Sequence, residues 1–111
     1  MKASARHHGN VTVLDLSGKI TIGEGDLRLR EAVSALLEEG RLRIVLNLQG
    51  VSYMDSAGIG ELVACYKRAR DKGAVLKLLN PSGKVQDLLV LTRLQEIFEI
   101  FRDEREALTS F

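Results

Sequence analysis

The chain has 111 residues, 45% of them hydrophobic and 28% charged, which suits one ordinary globular domain built on a single two-layer core. Its 16 basic and 15 acidic residues leave a net charge of +1, without the basic excess of a phosphate-backbone binder, so direct contact with nucleic acid is not expected. One cysteine, Cys65, excludes an intrachain disulfide and a cysteine-built zinc cage; the apolar runs are too short for membrane insertion, Met1–Asn10 is unlike a signal peptide, and a reduced, cytoplasmic chain with no cofactor is expected.

A weakly patterned strand over about Lys2–His8 is expected to turn at Gly9-Asn10 and pair with the alternating segment Val11–Leu16, closed by Ser17-Gly18. Ile20–Gly25 reads as a loop, and Asp26 as the cap of a first helix that buries Leu29, Val33, Leu36 and Leu37 and stops at Gly40. Arg43–Leu48 is a nearly continuous apolar run of strand length, as expected of an interior strand reached by a parallel crossover. A second helix places Ile59, Leu62, Val63, Tyr66 and Ala69 on one stripe and ends near Lys72-Gly73. Val75–Leu79 is a further strand, stopped by Asn80-Pro81. Ser82 caps a third helix with Val85, Leu88, Leu89 and Thr92 on one face. Ile97–Phe101 is a brief strand and Asp103–Ser110 a short terminal helix. The expected architecture is an α/β domain spanning residues 1–111, with a mixed, mostly parallel sheet of four to five strands and about four helices packed against it.

In Asp55-Ser56-Ala57-Gly58-Ile59-Gly60 the composition exceeds what folding requires. Two glycines in a first helical turn cost roughly 1 kcal/mol each relative to alanine, a penalty usually tied to close backbone approach by a neighbouring strand or a partner chain. The plain structural reading makes Ser56 a helix cap, with Asp55 favoured by the positive end of the helix dipole. A hydrolase reading of Ser56 is only half supported. The nucleophile elbow requires glycine two positions before and after the serine, but Met54 occupies the first place, and the only histidines are His7 and His8 near the terminus. The glycine pair is too short for a dinucleotide loop, and Glu38-Glu39 lies at the solvated end of a helix.

The run Val51-Ser52-Tyr53-Met54-Asp55-Ser56-Ala57-Gly58-Ile59-Gly60 resembles the signature of the STAS family, in its anti-sigma factor antagonist branch. The likeness continues through Tyr66-Lys67 and Leu76-Lys77-Leu78 to Leu94 and Ile97-Phe98, and so covers essentially the whole chain. The resemblance implies a STAS-like fold and a protein that is not an enzyme. Ser56 would be the phosphorylation site, and an anti-sigma factor serine kinase the partner. The unphosphorylated form would bind that kinase and free the sigma factor, and a PP2C-type phosphatase would reverse the modification. Asp55, Ser56, Ala57, Gly58, Gly60 and Glu24 are the implied partner-binding residues. Where family members often carry two acidic residues after the second strand, this chain has Lys19 and Thr21, with Glu24 or Asp26 as possible substitutes. The alternative reading is a STAS accessory module of a lipid-transport complex or a stress-signalling scaffold.

Overall fold

Residues 1–111 are described by a computed structural model. β1 (Lys2–His8) and β2 (Val11–Ile20) form an antiparallel hairpin, with Gly9 in the left-handed region at the turn. From β2 the chain alternates: α1 (Gly25–Glu38), β3 (Arg43–Met54), α2 (Ser56–Asp71), β4 (Val75–Leu79), α3 (Gly83–Leu91), a single 3-10 turn at Leu94–Glu96, β5 (Ile100–Phe101) and α4 (Glu104–Leu108). The sheet order is β1-β2-β3-β4-β5, and every pair after the hairpin is parallel. This is the expected mixed, mostly parallel sheet.

Strand alternation divides the apolar residues between two faces. Leu14, Leu16, Ile44, Leu46, Leu48, Leu76 and Leu78 meet Leu29, Val33, Leu62, Cys65, Ala69, Val85 and Leu89 of α1, α2 and α3 in the main core. Val11, Val13, Val45 and Leu79 form a smaller cluster on the other face, where Ala107 of α4, Phe101 and Phe111 pack. Beside that cluster Arg6 donates to both carboxylate oxygens of Asp15 (2.6 and 2.9 Å) and of Glu104 (3.2 and 2.6 Å), and Asn47 donates to Asp15 (2.8 Å). Lys77, buried in β4, donates to the Ser110 hydroxyl (2.9 Å) and carbonyl (3.0 Å) and lies over the Phe111 ring.

Two strands run further than the sequence pattern indicates. β2 does not stop at Ser17-Gly18, and β3 does not stop at Leu48. The β2–β3 register shifts between Asp15 and Ser17 and again between Gly18 and Lys19, with Gly18 at φ +100°. Pairing then resumes to Lys19↔Tyr53 and Ile20↔Met54. The glycine marks an irregularity that the ladder passes through, which is a common use of glycine inside a strand. Conversely, only Ile100–Phe101 of the expected Ile97–Phe101 strand pairs, because the N–H groups of Ile97 and Phe98 donate to the Leu94 carbonyl and close the 3-10 turn.

Helix ends also differ in detail. α1 starts at Gly25 with Glu24 at the cap position, and Asp26 lies inside its first turn, accepting the N–H groups of Gly23 and Leu27. Gly40 ends α1 as expected: its N–H bonds to Leu37 and that of Arg41 to Leu36, the paired closure that a left-handed glycine permits. Ser82 does occupy the cap position of α3, but its hydroxyl donates to the Val51 carbonyl (2.9 Å) and ties that helix to β3.

Candidate functional site

β2 and β3 run parallel and end side by side at Ile20 and Met54, and the next segments open α1 and α2. In parallel α/β sheets this carboxyl edge is where helix starts and their unpaired N–H groups converge, and where sites are usually built. The first turn of each helix carries a glycine pressed against the end of β2. A Cβ on Gly25 would strike the Lys19 carbonyl oxygen and Ile20 Cα, and one on Gly58 would strike the Ile20 carbonyl oxygen. The first demand of the glycine turn is therefore internal. Gly60 differs, because a Cβ there meets only open space.

Asp55, rather than Ser56, caps α2. Its Oδ1 accepts the Gly58 N–H (2.9 Å) and its Oδ2 accepts the Ile22 N–H (2.9 Å), while its own N–H reaches the Ile20 carbonyl (3.4 Å). One carboxylate thus fastens the β2–α1 loop to the start of α2. The N–H of Ile22, then that of Gly58, holds the Asp55 carboxyl below the usual carboxylate range. Ser56 is the first residue of the helix, exposed, and no group of the chain holds its hydroxyl. Ala57 is half-buried beside it.

Glu24 lies in the loop that Asp55 anchors, but its carboxylate pairs with the amino group of Met1 (3.2 Å). Lys19 and Thr21 flank Ile20 at the same edge, and Lys19 is exposed opposite Tyr53. The histidines are elsewhere. His7 lies within 3.1 Å of the Thr12 hydroxyl, at the opposite end of β2 from Ile20, about 26 Å along the strand from the Ser56 turn. No histidine base reaches Ser56. No three His, Cys, Asp or Glu side chains converge to hold a metal ion, and no helix is long and apolar enough to cross a membrane.

Two features of the site were not read from the sequence. Apolar side chains surround the turn: Ile22 is 75% exposed and Leu91 79%, and Leu91 shares a groove with Tyr53, Met54 and Leu88. No sequence periodicity marks them, because they come from three separate segments. The second feature is Glu61, 5% exposed in the middle of α2. Arg30 of α1 donates to its Oε1 (3.0 Å), and Arg68 donates to its Oε2 (2.8 Å). Burial alone would raise the Glu61 carboxyl, but the hydrogen bonds of Arg68 and Arg30 outweigh it and leave it below its ordinary value. Burial, together with the Glu61 charge, pushes the adjacent Cys65 thiol up to about 12. The spacing of Glu61, Cys65 and Arg68 at i, i+4 and i+7 is the available signal for this shared face.

The STAS domain family model matches residues 2–107. The chain belongs to the STAS family. Among its relatives, the anti-sigma F factor antagonist of Paenibacillus polymyxa is 28% identical over 109 residues, covering 98% of this STAS chain and 93% of the relative. The anti-sigma-B factor antagonist of Bacillus subtilis is 34% identical over 101 residues, covering 90% of each. Among solved structures, a Thermotoga maritima protein superposes with a TM-score of 0.88 at 26% identity, covering 97% of this chain and 92% of that one. The phosphorylated form of the Bacillus protein SpoIIAA superposes at 0.73 with 21% identity, covering 96% of each chain, a likeness of fold. The STAS signature lies at the carboxyl edge of the sheet, where Asp55 and Ser56 divide the work: the first builds the turn, and the second is left free on it.

Proposed function

We propose that this chain is an anti-sigma factor antagonist whose unphosphorylated form binds an anti-sigma factor serine kinase through the Ser56 turn, and whose binding is switched off by phosphorylation of Ser56. The observation that carries the proposal is the free, exposed Ser56 hydroxyl at the first position of α2, next to a carboxylate already committed to two backbone N–H groups. The curated relatives named as anti-sigma factor antagonists support the role, and the solution of SpoIIAA in phosphorylated and unphosphorylated forms supports the modification. Asp55, Ser56, Ala57, Gly58 and Gly60 would form the docking turn with Glu24 at its margin, and a PP2C-type phosphatase would restore the hydroxyl.

The physics places the switch at the interface. A phosphate adds a charge of about −1.5 to −2 and three acceptor oxygens. The start of α2 favours that charge by roughly 0.3–1 kcal/mol, and the neighbouring Asp55 carboxylate opposes it, so the fold itself is little disturbed. A partner packed over the turn would bury a dianion without a matching cation, and that costs about one to several kcal/mol, equivalent to tenfold or more in affinity.

The test is incubation with an anti-sigma kinase and ATP, followed by peptide mass spectrometry and a binding titration. Phosphate on the Ser56 peptide, absent in Ser56→Ala, with weaker binding of the modified chain, is the expected result. Modification only at other residues, or equal affinity of both forms, would overturn it.

A further inference from the structure

The loop between β2 and α1 is Thr21–Glu24, and each of its residues is tied. The Thr21 carbonyl accepts the Asp26 N–H (3.1 Å), and the Ile22 N–H donates to Asp55 Oδ2 (2.9 Å). The Gly23 N–H donates to Asp26 Oδ1 (2.9 Å), and the Glu24 carbonyl accepts the Arg28 N–H (2.9 Å). On this fixed loop Ile22 turns its side chain outward, 75% exposed, and packs against neither core cluster. A lone exposed apolar side chain is ordinary on a protein surface. Ile22 differs in where its backbone is fastened. The carboxylate that takes its N–H is the cap of α2 and also takes the Gly58 N–H, so one side chain sets Ile22 and the Ser56 turn against each other.

We infer that Ile22 is the specificity-determining anchor of this chain, received by an apolar pocket on the anti-sigma factor serine kinase. The inference rests on the reading of Ser56 as the phosphate acceptor and adds the feature by which the kinase selects and aligns it. In the transfer, the Ser56 Oγ bonds the γ-phosphorus of ATP as the bond to ADP breaks, and the hydroxyl proton passes to a base of the kinase. A kinase that brings ATP to that hydroxyl must close over the adjoining loop, where Ile22 is the one large apolar side chain. The carboxylates beside it are turned inward: Asp55 onto Ile22 and Gly58, Asp26 onto Gly23 and Leu27. What the loop offers a partner at Ile22 is therefore apolar burial. Little order is lost on gripping it, because the loop is already tied and a β-branched side chain has few χ1 states to give up.

Wild-type, Ile22→Val, Ile22→Ala and Leu42→Ala chains are compared as substrates of the anti-sigma factor serine kinase with ATP, and in binding titrations with the kinase alone. Leu42 is the control: it is also exposed, but it precedes β3, at the opposite end of that strand from Ser56. For Ile22→Ala the expected result is binding weaker by about tenfold or more, with KM raised to match and kcat nearly unchanged, since an anchor holds ground state and transition state alike. Ile22→Val keeps most of the affinity and Leu42→Ala all of it. The Ile22→Ala loss is the same at low and high salt, unlike that of a contact made by the neighbouring Lys19, because apolar burial is not screened. Melting temperatures stay at the wild-type value, as Ile22 packs against neither core cluster. Ile22→Ala bound and phosphorylated like wild type, or an equal loss in Leu42→Ala, overturns the inference and leaves the reading of Ser56 standing. A wild-type chain that the kinase neither binds nor phosphorylates overturns both.

Discussion

Gly58 sits with its α-carbon against the carbonyl oxygen of Ile20, closer than any side chain allows, so that α2 starts in backbone contact with the last residue of β2. The same residue receives Gly25 from α1. Ile20 is itself fully buried, and two helix starts are thereby fixed to one point of the sheet. The position of Ser56 follows from that fixing, since it lies two residues before Gly58.

The two glycines of the motif should respond oppositely to alanine. Gly58→Ala forces backbone apart and is expected to destabilise by about 1–3 kcal/mol, as overpacking does. Gly60→Ala adds a methyl to open space and should stabilise α2 by up to about 1 kcal/mol. Urea unfolding midpoints measure both. If Gly60→Ala also weakens kinase binding while raising stability, Gly60 is retained for the partner's approach.

Asp55→Ala should lower the melting temperature and loosen the β2–α1 loop, because one carboxylate serves both Gly58 and Ile22. Asp55→Asn keeps one acceptor and should lie between the two. Hydrogen exchange at the Ile22 and Gly58 amides provides the readout, with faster exchange at both amides in the alanine variant and unchanged exchange in β4. Ser56→Asp should leave these amides as they are while reducing partner affinity.

Stability above pH about 4 should depend on Arg6, and that dependence should fade as the pH falls further. Its hydrogen bonds hold both Asp15 and Glu104 below their ordinary values in the folded chain. A depressed carboxylate contributes stability that is fully present above its unfolded-state pKa and is lost as pH falls through the folded-state value. Arg6→Met therefore lowers stability at neutral pH and flattens the acid limb of the stability curve. Thermal unfolding from pH 7 to pH about 2 would show two curves converging at low pH. Parallel curves would mean that the pairing contributes nothing.

Arg68→Met removes one of two cations from the buried Glu61 carboxylate and leaves Arg30, which is half exposed, as the other. The expected cost is about 1–3 kcal/mol at neutral pH, less than for a fully buried pair, with the Glu61 pKa raised. Cys65, with its thiol pushed up to about 12 and its side chain enclosed, should react with a thiol reagent at pH 8 only when the chain opens. Its labelling rate then rises with urea in step with unfolding, and faster in Arg68→Met.

Most of the fold was legible because its elements repeat the spacing of their burial. Leu29, Val33, Leu36 and Leu37 mark α1, and Ile44 to Leu48 mark an interior strand. The glycines misled where they serve tertiary contacts. Ser17-Gly18 resembles a strand end and is an irregularity within one, while the cap of α2 moved from Ser56 to Asp55 because Asp55 can hold Ile22 and Gly58 together. The serine motif was visible in the sequence, but the apolar neighbours Ile22, Tyr53 and Leu91 were not.

By itself the sequence determined the alternation of helices and strands, the family signature and the serine within it, since these depend on residues near one another in the chain. Only the tertiary structure decided that Ser56 is left free while Asp55 builds the turn, and that Gly58 answers to Ile20 and Gly60 to nothing in the chain. Each of those depends on a contact between segments far apart in sequence, where backbone meets backbone, and residue spacing along one element carries no record of such a contact.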